Sequence, residues 1–190
     1  MSLKDERAYN EFVKNLRYDP VGTEEDPGPY YVTKFPWLKD KFSLPNNLPA
    51  VLGVMNAVKR KLKQDPDWEV LYEKQLQDLI DRKVALEVSE AELKSWVEAG
   101  NPVYYTAHQM VIHPGNLSTP IRVVFNSSQK YQGQSLNGSL KLGPDILNSL
   151  HGVLLRFRGD VVAAQGDISK MFYMVRVAKE DSMMQLFVWR

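Results

Sequence analysis

The chain has 190 residues, 24 Lys+Arg against 23 Asp+Glu, no Cys, 44% hydrophobic residues and 11% aromatic ones. That length suits one domain, or a piece of a larger one, with a buried core; 7 Phe, 9 Tyr and a charged fraction of 25% exclude a wholly disordered chain. No apolar run approaches the roughly 20 residues of a membrane span, Met1-Ser2-Leu3-Lys4-Asp5-Glu6-Arg7 is no secretory signal, and without Cys there is neither a disulfide framework nor a Cys-based zinc site.

The near-neutral total hides an asymmetry. Residues 1–29 hold 4 Lys+Arg and 7 Asp+Glu, residues 30–100 hold 11 of each, and residues 101–190 hold 9 against 5. The last segment is therefore the one suited to meet an anion such as a phosphate backbone.

In chain order, residues 1–29 carry Pro20, Gly22, Pro27, Gly28 and Pro29 around Glu24-Glu25-Asp26, which predicts a helix fragment and then a linker or poorly ordered segment. Residues 30–100 are predicted helical. Asn46-Asn47 and Pro49 open a helix with Val51, Val54, Met55, Val58 and Leu62 on one face. Asp65-Pro66 opens a second, with Trp68, Leu71, Tyr72, Leu79 and Ile80 inward. Ser89-Glu90-Ala91-Glu92 is a capping box for a third, through Leu93, Trp96 and Val97, closed by Gly100-Asn101-Pro102. Lys59-Arg60-Lys61-Leu62-Lys63 is a basic run that fits a solvated helix face.

Residues 101–190 change texture. Val103-Tyr104-Tyr105-Thr106, Met110-Val111-Ile112 and Ile121-Arg122-Val123-Val124-Phe125 read as strands. A helix is predicted from Ile146 to Phe157, then a strand from Asp160 through Ala164 reaching Asp167, then strands near 173–178 and 184–189. Helices followed by a mostly antiparallel, strand-rich half give an α+β fold class.

Two stretches carry candidate chemistry. In Val161-Val162-Ala163-Ala164-Gln165-Gly166-Asp167-Ile168-Ser169-Lys170-Met171-Phe172 an apolar strand delivers one carboxylate before a tight turn, with an aromatic five residues on. Such a carboxylate can ligate Mg²⁺; it can equally cap a turn while Phe172 packs in a core. Arg122 sits in an apolar strand, sharing a face with Val124. Its forked donors suit phosphate oxygens, and a solvent-facing Arg on an alternating strand fits the same pattern. His108, His113 and His151 lack metal-ligand spacing, and neither a Gly-rich phosphate loop nor a Ser nucleophile elbow is present.

Taken in order, these segments resemble the reverse transcriptase region of Pao/BEL-type LTR retrotransposon polyproteins, over roughly residues 30–190. The resemblance rests on Phe35-Pro36-Trp37-Leu38, Leu44-Pro45-Asn46-Asn47, Val103-Tyr104-Tyr105-Thr106-Ala107-His108-Gln109-Met110-Val111-Ile112, Ile121-Arg122-Val123-Val124-Phe125-Asn126-Ser127-Ser128, Leu154-Leu155-Arg156-Phe157-Arg158 and Gly166-Asp167-Ile168-Ser169-Lys170-Met171-Phe172. It implies the fingers and first part of the palm of a right-hand polymerase, with residues 101–190 as fingers and incomplete palm. It implies Asp167 as a catalytic ligand of Mg²⁺ or Mn²⁺, Phe172 as the gate against a ribose 2′-hydroxyl, and Arg122 with Ile168, Ser169, Lys170 and Met171 around the dNTP triphosphate. Arg156 and Arg158 are expected on nucleic acid. The implied partners are an RNA or DNA template–primer, dNTPs, and the protease, RNase H and integrase parts of a polyprotein, in an intracellular, virus-like-particle or nuclear setting without a membrane.

The chain also departs from the family. Asn126-Ser127-Ser128 stands where Asp-Ala-Ser is usual, so any ion pair there is lost. Gln165-Gly166 replaces a small pair before the aspartate, and Gly166 loosens the strand that aims it. The second palm motif, Tyr-x-Asp-Asp, would lie beyond Arg190, and no Asp-Asp pair occurs in the 190 residues. One carboxylate cannot hold two metal ions, so the expectation is a reverse transcriptase fragment inactive by itself, or else a non-catalytic nucleic-acid-binding remnant.

Overall fold

The computed structural model describes residues 3–24, 27–113, 115, 120–159, 161–168 and 171–189. It is a mixed α+β structure; its described part has six α-helices and two small sheets. Helix α1 (Leu3–Asn15) is followed by β1 (Arg17–Asp19), so the segment expected as helix fragment and linker also supplies a strand. The Asp19 carboxylate shapes the chain after it, accepting from the Val21 and Gly22 amides at 3.2 and 2.8 Å. β1 pairs antiparallel with β2 (Tyr30–Thr33), Tyr18 opposite Tyr31.

The helical part follows the apolar spacing. α2 (Leu48–Leu62) buries Val51, Met55, Val58 and Leu62, and Pro49 occupies its first turn. The Asp65 carboxylate caps α3 (Pro66–Asp81) through the Asp67 amide; α3 buries Tyr72, Leu76 and Leu79. The Ser89 hydroxyl caps α4 (Glu90–Glu98) through the Glu92 amide. Gly100, at φ +79°, takes the left-handed geometry that ends α4, a conformation that costs a residue without Cβ little. Val97, predicted inward, is 48% exposed: the core lies under Leu93 and Trp96 only.

β3 (Ala107–Ile112) and β4 (Ile121–Asn126) form an antiparallel pair, Val111 opposite Arg122. Residues 103–106 are not a strand; Tyr105 makes a single parallel bridge to Leu186. The inner face of the pair packs Met110 and Ile121 against Met55, Val58 and Leu62 of α2 and Tyr72, Leu76 and Leu79 of α3. A second cluster joins Val51, Val103, Tyr105, Ala107 and Met183, and a third joins Leu44, Tyr104, Leu136 and Met184.

The last third departs most from expectation. Helix α5 is Leu150–Phe157, shorter than the predicted helix from Ile146. Residues 161–168 form neither helix nor strand, and Val161 and Val162 are 104% and 83% exposed. A strand must place its N–H and C=O groups on a neighbour, and no described strand pairs with this run. β5 (Val175–Val177) joins β2 in parallel, giving the order β1-β2-β5. The predicted strand near 184–189 is instead a 3₁₀ turn (Met183–Gln185) followed by extended chain, after the short helix α6 (Lys179–Ser182).

Candidate nucleotide and nucleic-acid site

Arg122 lies in β4 between two inward residues, buried Ile121 and half-buried Val123. Strand alternation turns Arg122 and Val124 to the open face of the β3–β4 pair, where Gln109 is also exposed. The guanidinium makes no ion pair or side-chain hydrogen bond with a described residue. Its backbone is held from the helical side. Gln75 of α3 donates Nε2–H to the Ile121 carbonyl at 2.6 Å, and its Oε1 accepts from the Val123 amide at 3.1 Å. One side-chain amide thus satisfies the outer edge of β4 on both sides of Arg122, where an unpaired edge would otherwise invite another strand.

Asp167 and Ile168 are exposed in the irregular segment, and Asp167 has no hydrogen-bond or ion-pair partner among the described residues. Ser169 and Lys170 lie outside the described residues. The Met171 amide donates to the Ile168 carbonyl at 3.3 Å, a turn-type bond that occupies one of the amides expected to face a triphosphate. Met171 and Phe172 begin the 3₁₀ turn (Met171–Met174) before β5. Phe172 is 84% exposed, which removes the alternative that it packs in a core. Arg156 and Arg158 are exposed at the C-terminal end of α5, again without ion pairs among the described residues.

These residues come from separate elements of the fold. Arg122 belongs to the β3–β4 sheet, whereas Met171 and Phe172 lead into the β1-β2-β5 sheet. No hydrogen bond or ion pair among the described residues joins Arg122 to Asp167 or Phe172. The strand expected to aim Asp167 is absent for the reason given above, and the described residues contain no group of three or more His, Asp or Glu side chains able to hold a metal ion. A two-metal site does not fit this donor set, because a lone exposed carboxylate cannot displace enough water from Mg²⁺.

Three buried polar centres also stand out: His108, which the sequence leaves as a core or surface histidine, and Asp181 and Asn47, which sequence reasoning missed. His108 is 1% exposed among Phe125, Phe187 and Trp189. Its Nε2 lies 2.9 Å from the Val188 carbonyl, which can only accept, so Nε2 carries the proton; Nδ1 then accepts from the Tyr72 hydroxyl at 2.6 Å. Burial pushes the His108 pKa below its ordinary value and the Tyr72 pKa above its own, keeping both groups neutral. Asp181 is the second centre, 2% exposed. It accepts from the Phe35 amide (2.9 Å), Trp37 Nε1 (3.0 Å) and Lys41 Nζ (2.9 Å), tying α6 to the Phe35-Pro36-Trp37 segment. Asn47, the third, is paired with Tyr105. All three are satisfied internally and serve the scaffold. A polar residue among aromatics, as at His108, was the available sequence signal; its partners are far apart in the chain and gave none.

No protein-family profile, curated protein or solved structure matches this chain. No helix of the described residues is long and apolar enough to cross a membrane.

Proposed function

We propose that the chain is part of the reverse transcriptase region of a retrotransposon polyprotein, fingers and first part of the palm of a right-hand polymerase, and that its own contribution is to hold phosphate. The observation that carries this reading is Arg122: a permanently charged fork of donors on an open sheet face, backbone-fixed by Gln75 and matched by no carboxylate among the described residues. The ordered motifs from Phe35 to Phe172 supply the family, and the α+β arrangement accommodates it. In this reading Arg122 takes the triphosphate of an incoming dNTP, Phe172 stands at the ribose, and Asp167 is one carboxylate of a site that needs others.

Nucleotide addition then belongs to a longer protein, and the chain by itself binds without turnover. Exposed Arg156 and Arg158 favour the second form of the reading, a binding remnant that meets a template–primer through its phosphates. A labelled primer–template titrated at low salt tests both forms, alongside an incorporation assay. Binding is expected, with neutralisation of Arg122, Arg156 and Arg158 lowering the slope of log K against log salt by about 3. An unchanged slope removes these residues from the interface, and incorporation by the chain alone refutes the division between binding and turnover.

A further inference from the structure

The last turn of α2 carries Lys59, Arg60 and Lys61, and Lys63 caps its C-terminal end. Lys59 and Lys63 are four residues apart and Arg60 and Lys63 three, so these side chains neighbour one another on the helix surface. None makes an ion pair or side-chain hydrogen bond with a described residue. The negative end of the helix dipole eases their crowding without neutralising them. Beside them runs an open groove of about 890 Å³, bordered by Lys59, Arg60 and Lys63 of α2, Glu69 and Glu73 of α3, and Trp189. A hollow of about 450 Å³, sharing Glu73 and Trp189, is bordered also by Lys74 and Gln77. The Trp189 ring packs on Tyr72 and His108, with centroids 5.6 and 6.0 Å apart, so a core-anchored indole borders both depressions.

Unneutralised cations beside an anchored aromatic, in a trough open along its length, suit a flexible polyanion that presents a flat ring at every repeat. We propose that the groove between α2 and α3 binds single-stranded nucleic acid, its phosphates along Lys59, Arg60 and Lys63 and a base against Trp189. Glu69 on the opposite wall repels phosphate, which sets the strand with its backbone toward α2. An acidic peptide would satisfy the cations but brings no regular series of rings to the indole. The site uses none of Arg122, Arg156 and Arg158, so it stands or falls separately from the reading above.

The test is fluorescence anisotropy of labelled (dT)12 with the whole chain at about 50 mM salt, with tryptophan emission followed in parallel. Saturable binding with quenching is expected. The combined variant Lys59→Glu, Arg60→Glu, Lys63→Glu should weaken it at least about tenfold and lower the salt slope by about 2. Glu69→Gln should tighten binding about two- to threefold, a gain that misfolding cannot imitate. Trp189→Phe, which keeps a ring on Tyr72, should remove the quench. The proposal is overturned if the wild type does not bind, if the charge reversals leave affinity unchanged, or if Trp189→Phe leaves the quench intact. It also fails if polyglutamate of equal charge competes as well as (dT)12, which would assign the groove to acidic protein.

Discussion

The side-chain amide of Asn47 pairs with both backbone groups of Tyr105: Nδ2 donates to the carbonyl at 2.6 Å and Oδ1 accepts from the amide at 2.8 Å, with both residues buried. Asn47 stands at the start of α2 yet makes no side-chain capping bond there; the Asn46 side-chain Oδ1 accepts from the Leu48 amide instead. Because Tyr105 has only an isolated bridge to Leu186, the amide stands in for a neighbouring strand. Asn47→Ala strands a buried donor and a buried acceptor, so urea unfolding should show a loss of about 3 kcal/mol. Asn47→Asp should recover little, since its carboxylate would face the Tyr105 carbonyl. A loss below about 1 kcal/mol for the alanine variant would show that water replaces the amide.

His108 gives the fold a pH dependence of known sign. Its native pKa lies below the ordinary 6.5 because burial disfavours the imidazolium, against a smaller opposing effect of the Val188 carbonyl. In the unfolded chain the histidine titrates near its ordinary value, so below about pH 6.5 the unfolded state takes up the proton first. Stability is therefore complete above that pH and declines as pH falls toward the native value, by at most about 1.4 kcal/mol per pH unit for this group. Urea midpoints between pH 5 and 8 check the slope, and His108→Asn should flatten the part that histidine supplies. An equal slope in that variant would assign the effect elsewhere.

Asp181 holds three donors from residues about 140 positions earlier in the chain. Removing the carboxylate leaves the Phe35 amide and Trp37 indole N–H without their acceptor and the Lys41 ammonium without its counter-charge. Asp181→Ala should cost roughly 3 kcal/mol, and Asp181→Asn about half, since one acceptor oxygen remains. The doubly substituted Lys41→Met, Asp181→Ala chain should lose less than the two single changes added together, as coupled partners do. Strict additivity in that cycle would remove the pair from the account.

Asp167→Asn and Phe172→Ala should leave the urea midpoint where it is. Both side chains are exposed and neither belongs to a core cluster, and surface changes away from packed or hydrogen-bonded features are nearly neutral. In an intact polymerase carrying this segment, Asp167→Asn should abolish incorporation and Phe172→Ala should admit ribonucleotides, with folding unaffected. A drop in the midpoint for either variant would make it a structural residue and take away its functional assignment.

What the sequence by itself determined is local. The spacing of Val51, Met55, Val58 and Leu62 put one stripe of α2 in the core, Ser89 and Gly100 bounded α4, and alternation turned Arg122 outward between Ile121 and Val123. Helix stripes and strand alternation are properties of ten or so consecutive residues, and a cap needs only its own first turn. Tertiary structure decided whatever depends on a partner distant in sequence. The apolar run 161–164 has strand composition and stays irregular, because composition cannot supply the neighbouring strand its backbone needs. Gln75 beside Arg122, Asn47 on Tyr105, Tyr72 on His108 and Trp189 beside Lys59 and Arg60 are meetings of residues 36 to 130 positions apart. Nothing in a local pattern encodes them; the chain's closure around the α2–α3–β3–β4 core brings them together.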